Sequence, residues 1–256
     1  MTELQQQCEL LRSLHRPGNP LLLPNAWDAA TARAVVAAGY PVVATTSWGV
    51  AAALGYEDDE GAPGDEMLAA AGRIVRAVDV PVSVDAEAGY RMEPAELVAA
   101  LHAVGAAGCN LEDSDHSTGG IRDTAVHAEW LAAIRASAAA IDYPLVINAR
   151  IDVFVPPFLA GAGMEAYGEL VPAATDRAKA YLDVGVDCVY PIGPWESDAL
   201  GQFVSDVQGP VNVTHWPERQ SSAELAELGV ARVSWAIFLY EDAMARFADD
   251  LGTLQR

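Results

Sequence analysis

Eight times along the chain, a short apolar and often β-branched run is followed by a longer, Ala-rich stretch with helical spacing. Residues 20–25 (PLLLPN), 41–46 (PVVATT), 81–85 (PVSVD), 108–112 (GCNLE), 144–150 (PLVINAR), 187–191 (DCVYP), 210–214 (PVNVT) and 231–235 (ARVSW) read as strands. Helices are expected near 28–38, 64–77, 94–106, 124–140, 165–184, 197–206, 221–228 and 238–251. Proline or glycine stands at or just before many strand starts, as at Gly39, Pro81, Gly108, Pro144 and Gly185, which is where one element gives way to the next. Strands this short and apolar suit a parallel sheet buried on both faces. Eight such units in succession favour a closed (β/α)8 barrel over an open doubly wound sheet, and 256 residues is an ordinary length for one. Residues 1–256 are read as a single barrel domain. A further helix is expected over 3–15, where Leu4, Cys8, Leu11 and Leu14 share one face; it is expected to cover the bottom of the barrel.

Charge and composition narrow the partners. The formal charge of −21 repels nucleic acid and anionic membranes. It also repels an anionic substrate at long range, so a site for one must carry its own local positive charge. No apolar run approaches the roughly 20 residues that span a bilayer, and MTELQQQCEL lacks the pattern of a secretory signal. Cys8, Cys109 and Cys188 are odd in number and far apart, which argues against a disulfide framework or a zinc site. A cytoplasmic location is expected.

In a barrel of this kind, reactive groups sit at the C-terminal ends of the strands and in the loops that follow. The second strand runs into Thr45-Thr46-Ser47-Trp48-Gly49, and its loop continues through Asp58. The third ends in Asp85-Ala86-Glu87, the fourth in Asn110-Leu111-Glu112-Asp113, and the fifth in Asn148-Ala149-Arg150-Ile151-Asp152. Side chains two apart on a strand point the same way, so Asp85 and Glu87 are expected to face one space, with Glu112 arriving from the neighbouring strand. Two carboxylates about 4 Å apart repel by about 4 kcal/mol at an effective dielectric near 20. Four of them, Asp58, Asp85, Glu87 and Glu112, call for protons or a cation. With no His or Cys clustered nearby, a hard oxygen-seeking ion fits best, Mg²⁺ first and Mn²⁺ as the alternative. Acidic residues at strand ends also cap helices, and Asp28 is read as such an N-cap.

These residues carry a resemblance. VDAEAGY (84–90) resembles the Asp-Ala-Asp-x-Gly-Tyr signature of the phosphoenolpyruvate mutase/isocitrate lyase superfamily. LGYEDDE (54–60), NLEDS (110–114), INARIDVF (147–154) and the opening PNAWDAATARAVVAAGY (24–40) resemble further motifs in family order. The resemblance implies that Asp85 and Glu112 hold Mg²⁺ directly or through water, and that Asp58 and Glu87 bind its water shell. Glu87 stands where the family has aspartate, one methylene longer. Thr46, Ser47 and Trp48 match the segment that clasps a substrate carboxylate, and Arg150 matches the substrate-binding arginine, whose fork suits a carboxylate or phosphonate. Asn148, two residues before Arg150, is expected to face the same mouth.

The chain also departs from the family's patterns. The lyases that split isocitrate or 2-methylisocitrate carry a Lys-Lys-Cys-Gly-His loop after the fourth strand; here the loop reads Ser114-Asp115-His116-Ser117-Thr118-Gly119-Gly120. The lysine and asparagine of the mutase gating loop are missing as well. His116 is the remaining candidate proton carrier in that loop, and Gly119 and Gly120 permit movement. The expected function is a Mg²⁺-dependent lyase that cleaves a C–C bond of a small α-oxo or 2-hydroxy carboxylate through an enolate, with Arg150 and His116 as catalytic residues. The alternatives are a phosphonate mutase or hydrolase, a ketopantoate hydroxymethyltransferase-like enzyme, or a non-catalytic oxo-acid-binding barrel. Tyr190, Asn212, Thr214 and Trp235 are weaker pocket candidates, His15, His102, His127 and His215 form no constellation, and a homodimer or homotetramer is expected.

Overall fold

A computed structural model describes residues 1–254. Its strands are β1 (Leu21–Leu23), β2 (Asn25–Ala26), β3 (Val43–Thr45), β4 (Val82–Asp85), β5 (Gly108–Glu112), β6 (Ser114–Asp115), β7 (Gly120–Ile121), β8 (Val146–Ile151), β9 (Cys188–Pro191), β10 (Asn212–Thr214) and β11 (Arg232–Ser234). β2, β3, β4, β5, β8 and β9 form one parallel sheet and β1, β11 and β10 another. β1 and β2 are one barrel strand interrupted at Pro24, which has no N–H to give to a ladder. The parallel bridge between Val189 and Val211 joins β9 to β10. The ring therefore closes with eight parallel staves, as the alternating pattern predicted, and helices follow the staves in turn.

The helices form where the sequence places them, with caps that explain their starts. Asp28 is an N-cap: its carboxylate accepts from Thr31 N, and the Thr31 hydroxyl satisfies the Asp28 backbone N–H. Glu3–Leu14 starts with a capping box at Thr2. Two expectations need correction. The helix expected over 165–184 is two helices, Met164–Gly168 and Val171–Asp183, because Pro172 in the first turn of the second cannot continue a preceding one. The segment after β3, read as loop, contains the helix Ser47–Leu54; its Ala51-Ala52-Ala53 run supports it and Gly55, at φ 91°, ends it. A short helix, Val155–Leu159, likewise follows β8.

The core fills the barrel and the layer between strands and helices, with Leu23, Val43, Val84, Leu111, Ile147, Val189 and Val233 fully or almost fully buried. Glu3–Leu14 closes the N-terminal end. Cys8 and Leu11 are buried there, and Arg12 reaches Asp187 and the carbonyls of Pro144 and Leu145 at the start of β8. Asp187 also accepts from Arg135 and from Ile147 N, so this end is tied by charge as well as packing. All three cysteines are buried thiols, and no helix among the described residues is long and apolar enough to cross a membrane.

Leu11→Ala removes a fully buried plug from the bottom of the barrel. It is expected to cost about 2–5 kcal/mol in a denaturant melt. A loss below about 1 kcal/mol would show that the helix does not seal that end.

Candidate active site

The register of the sheet stacks the polar groups in two tiers. Asp85 on β4 stands opposite Asn110 on β5, and Asn110 opposite Asn148 on β8. Two residues further along, Glu112 stands opposite Arg150 and Arg150 opposite Tyr190. Because neighbours in parallel register point to the same side, each tier projects into the barrel mouth.

The upper tier is built around Arg150. Its Nη1 forms an ion pair with Glu112 Oε2 at 2.6 Å, while Nε and Nη2 donate to Asp152 Oδ1 and Oδ2 at 2.7 and 2.9 Å. Asp152 is held in turn by the Ser114 hydroxyl at 2.6 Å, and its backbone N–H donates to Asp113. Asp113 is fully buried and also accepts from Arg177 Nη1 and the Tyr181 hydroxyl, each at 2.8 Å. Asp113, Asp152, Arg177 and Tyr181 were not singled out in the sequence; the Glu-Asp pair after β5 and the Arg-x-Asp spacing on β8 were the available signals. They turn Arg150 into a fixed fork. Two of the five guanidinium N–H donors are hydrogen-bonded to Asp152, and Nη1 stands in ion-pair contact with Glu112.

His116 arrives by a device the sequence did not reveal. β6 and β7 pair antiparallel, and Asp115 accepts from Thr118 N, Gly119 N and Ser117 N, so residues 114–121 form an ordered hairpin. The hairpin lays His116 Nε2 on Glu112 Oε1 at 2.6 Å. The Glu112 hydrogen bond, more than any other cause, raises the His116 pKa to about 9. Burial pushes the Glu112 carboxyl up, and Arg150 and His116 pull it down. With a guanidinium on one oxygen and an imidazole on the other, the ionised carboxylate and the imidazolium are the consistent pair at neutral pH.

The cavity at the mouth has a volume of about 110 Å³. Asp58, Asp85, Thr46, Ser47, Trp48 and Arg150 line it, as do Asn25, Asn110, Tyr190 and Ser234. Of the residues expected here, four do not line it: Asn148, Glu87, His116 and Glu112. Asn148 sits one tier down, with no solvent exposure, and donates to Asn110 Oδ1 at 2.8 Å. Glu87 and His116 are behind the lining: Glu87 accepts from Glu60 N, and His116 backs Glu112. Glu112 itself spends both oxygens on His116 and Arg150. Of the weaker candidates, Tyr190 lines this cavity and bonds the Thr214 hydroxyl, Asn212 bonds Ser234, and Trp235 stacks on His215. Asn25 and Asn110 escaped notice because each reads as an ordinary polar residue in an apolar run.

Among the described residues, no three His, Cys, Asp or Glu side chains converge closely enough to enclose an ion by themselves. The donor set nevertheless fits a hard divalent cation. Asp58 Oδ1 and Asp85 Oδ1 are buried without any hydrogen-bond partner, and both carboxylates face the cavity. Mg²⁺ takes one or two carboxylates and keeps the rest of its shell as water. Ser47 N donates to the other Asp85 oxygen at 3.1 Å and Thr45 Oγ1 accepts from Asp85 N, which orients that carboxylate. Burial, and then the neighbouring Asp85, raises Asp58 to about 6; burial above all raises Glu87 to about 8.

Comparison with known proteins follows the same lines. The family model described as phosphoenolpyruvate phosphomutase matches residues 11–254. The chain belongs to this family. It is 30% identical to the 2-methylisocitrate lyase of Salmonella typhimurium over 95% of this chain and 86% of that protein. An uncharacterised protein of Mycobacterium tuberculosis is 33% identical over 86% of this chain and 79% of its own. The solved structure of a Burkholderia cenocepacia protein carrying a provisional phosphonomutase name superposes with a TM-score of 0.91 at 41% identity, covering 97% of this chain and 99% of that one.

Two outcomes test this electrostatic reading. Asp152→Ala leaves Arg150 with half its carboxylate support in a buried setting, and it is expected to cost about 3–5 kcal/mol in a denaturant melt. Asp58 and Glu87 bind protons more tightly in the folded chain than in the unfolded one, so stability falls as pH rises from about 4 through 8. Added Mg²⁺ is therefore expected to raise the Tm more at pH 8 than at pH 5, and Glu87→Gln to flatten the pH slope. A Tm indifferent to both pH and Mg²⁺ would contradict the assignment.

Proposed function

We propose that this chain is a Mg²⁺-dependent carbon–carbon lyase acting on a small α-oxo or 2-hydroxy carboxylate. The observation that carries the reading is the pair of unpartnered buried oxygens, Asp58 Oδ1 and Asp85 Oδ1, facing one cavity with Arg150. Kinship with 2-methylisocitrate lyase supports the reaction class.

Mg²⁺, when bound, supplies Lewis acidity to the keto and carboxylate oxygens of the substrate. The residues of the chain do the rest. Asp58 and Asp85 hold the ion, Glu87 backs their end of the site, and Thr46, Ser47 and Trp48 form the wall that receives the substrate carboxylate. When the bond between the carbon beside the keto carbon and the departing fragment breaks, its electron pair stays with that carbon and negative charge collects on the keto oxygen as an enolate. Arg150 meets that charge with its remaining N–H donors, and because Asp152 and Glu112 already hold the fork, no reorganisation is needed at that moment. His116 acts through Glu112: as an imidazolium it keeps that carboxylate ionised and Arg150 aligned.

A phosphonate-cleaving activity is the second reading, favoured by the Burkholderia relative. Product analysis separates the two: pyruvate or another oxo acid without phosphate for C–C cleavage, inorganic phosphate or a rearranged phosphate ester for P–C chemistry. A homo-oligomer is also proposed. The helix Phe238–Leu254 has no buried residue, and Met244, Phe247, Leu251 and Leu254 make one exposed apolar stripe that a second copy of the chain would cover.

The decisive experiment is oxo-acid release from a panel of oxo and hydroxy acids, with and without Mg²⁺. Mg²⁺-dependent release that falls at least a hundredfold in Asp85→Ala is expected. Release that is independent of Mg²⁺, or unchanged in the variant, would end the proposal.

A further inference from the structure

A second cavity, of about 170 Å³, adjoins the first. The two share Arg150, Ile192, Ala236 and Ile237 in their walls, so they are one continuous space divided by chemistry. The first is ringed by carboxylates, amides and hydroxyls. The second is walled by Phe154, Val155, Phe158, Trp216 and Phe238, with Arg150 as its single charged residue. Its aromatic walls are braced against one another: Phe158 packs on Trp216 with ring centres 5.3 Å apart, and Trp216 on Phe238 at 5.1 Å. The Trp216 indole N–H is already spent on the Gly193 carbonyl at 2.9 Å, so the indole turns an apolar face to the cavity. A braced apolar annex of this kind is preformed for a ligand rather than assembled around one.

The charges point the same way. The cations nearest the polar cavity are Arg150, His116 and Arg232: Arg150 is committed to Glu112 and Asp152, His116 to Glu112, and Arg232 is buried behind Asn110 and Ser83, to which its Nη2 donates, and lines neither cavity. One substrate carboxylate can be met by the residual donors of Arg150 and by a bound divalent ion. A second would enter the apolar annex without a partner, and burying an unpaired carboxylate costs far more than burying an alkyl group gains.

We infer that the substrate is a monocarboxylic α-oxo acid whose C4 carries a hydroxyl and an apolar arm, a branched alkyl or aryl group, that occupies the annex formed by Phe154, Val155, Phe158, Trp216 and Phe238; breaking C3–C4 releases the arm as an aldehyde and leaves the pyruvate enolate, with the hydroxyl proton ending on C3. This rests on the lyase reading for the reactive end of the molecule, but the arm's site is independent of which bond is broken.

The test uses the Mg²⁺-loaded protein. Binding of pyruvate, 4-methyl-2-oxopentanoate, phenylpyruvate and oxaloacetate is measured by calorimetry, with quenching of tryptophan fluorescence as a second readout. Each added buried methylene is expected to tighten binding by roughly fourfold, so phenylpyruvate binds at least tenfold tighter than pyruvate while oxaloacetate gains nothing over it. Val155→Trp, which fills the annex, is expected to reverse the preference for phenylpyruvate over pyruvate. Phe158→Ala, at a position already 46% exposed and so safe for folding, is expected to narrow it severalfold. Oxaloacetate binding more tightly than phenylpyruvate, or a preference unmoved in both variants, would overturn the inference. Turnover of the panel separates it from the lyase reading. Mg²⁺-dependent cleavage of dicarboxylates alone would sink the apolar arm and leave the lyase. Tight, Val155-dependent binding of phenylpyruvate with no cleavage of any arm-bearing hydroxy or oxo acid would sink the lyase and leave the annex.

Discussion

The site depends on one buried cation. Arg150 stands where β8 ends, and its guanidinium is gripped by Asp152 from behind and Glu112 from the side. A guanidinium does not give up its proton in a protein, so a buried one needs polar partners, and for Arg150 these are carboxylates. Those carboxylates need partners of their own. Ser114 and the Asp113–Arg177–Tyr181 cluster serve Asp152, and His116 serves Glu112. β5, β8, the hairpin after β5 and the helix Val171–Asp183 are thereby tied to a single charge. The arrangement is rigid because each member is satisfied only in one geometry.

On the other side of Arg150, the balance reverses. Asp58 and Asp85 face the cavity with unpartnered oxygens, and burial holds the protons of Asp58 and Glu87 more tightly than usual. Such a surplus of negative charge is costly for a folded chain and useful for one that captures a divalent cation. Under the proposed function, stability is given up where the ion would sit, and the Arg150 network restores rigidity beside it. Of the cations that line or back the cavity, Arg150 and His116 are already paired with the chain's own carboxylates.

Much of the architecture was open to reading in the chain. The eight strands, the bottom helix and the Asp28 cap follow from local periodicity and from the chemistry of caps and breakers, which act over a few residues. Thr46, Ser47, Trp48, Asp58, Asp85 and Arg150 line the cavity because strand ends deliver their residues to one mouth once the barrel closes. The readings that changed each depended on contacts between distant segments. Asn148 stands beside Asn110, one tier below Arg150, and its amide is spent on Asn110 rather than on the cavity. His116 turns away from the cavity because the β6–β7 pairing folds it back on Glu112.

The sequence alone determined the period of the chain and the strand ends that carry the acidic residues, because those properties belong to short stretches and to the order of elements. Tertiary structure decided which oxygens remain unpartnered, how many donors Arg150 keeps, and that an apolar annex opens beside the polar cavity. The annex is drawn from residues 154–159, 192–193, 216 and 236–238, four segments after different strands, each unremarkable in its own run. A cavity is a property of surfaces brought together, and no local pattern in a chain records the space that closure leaves between them.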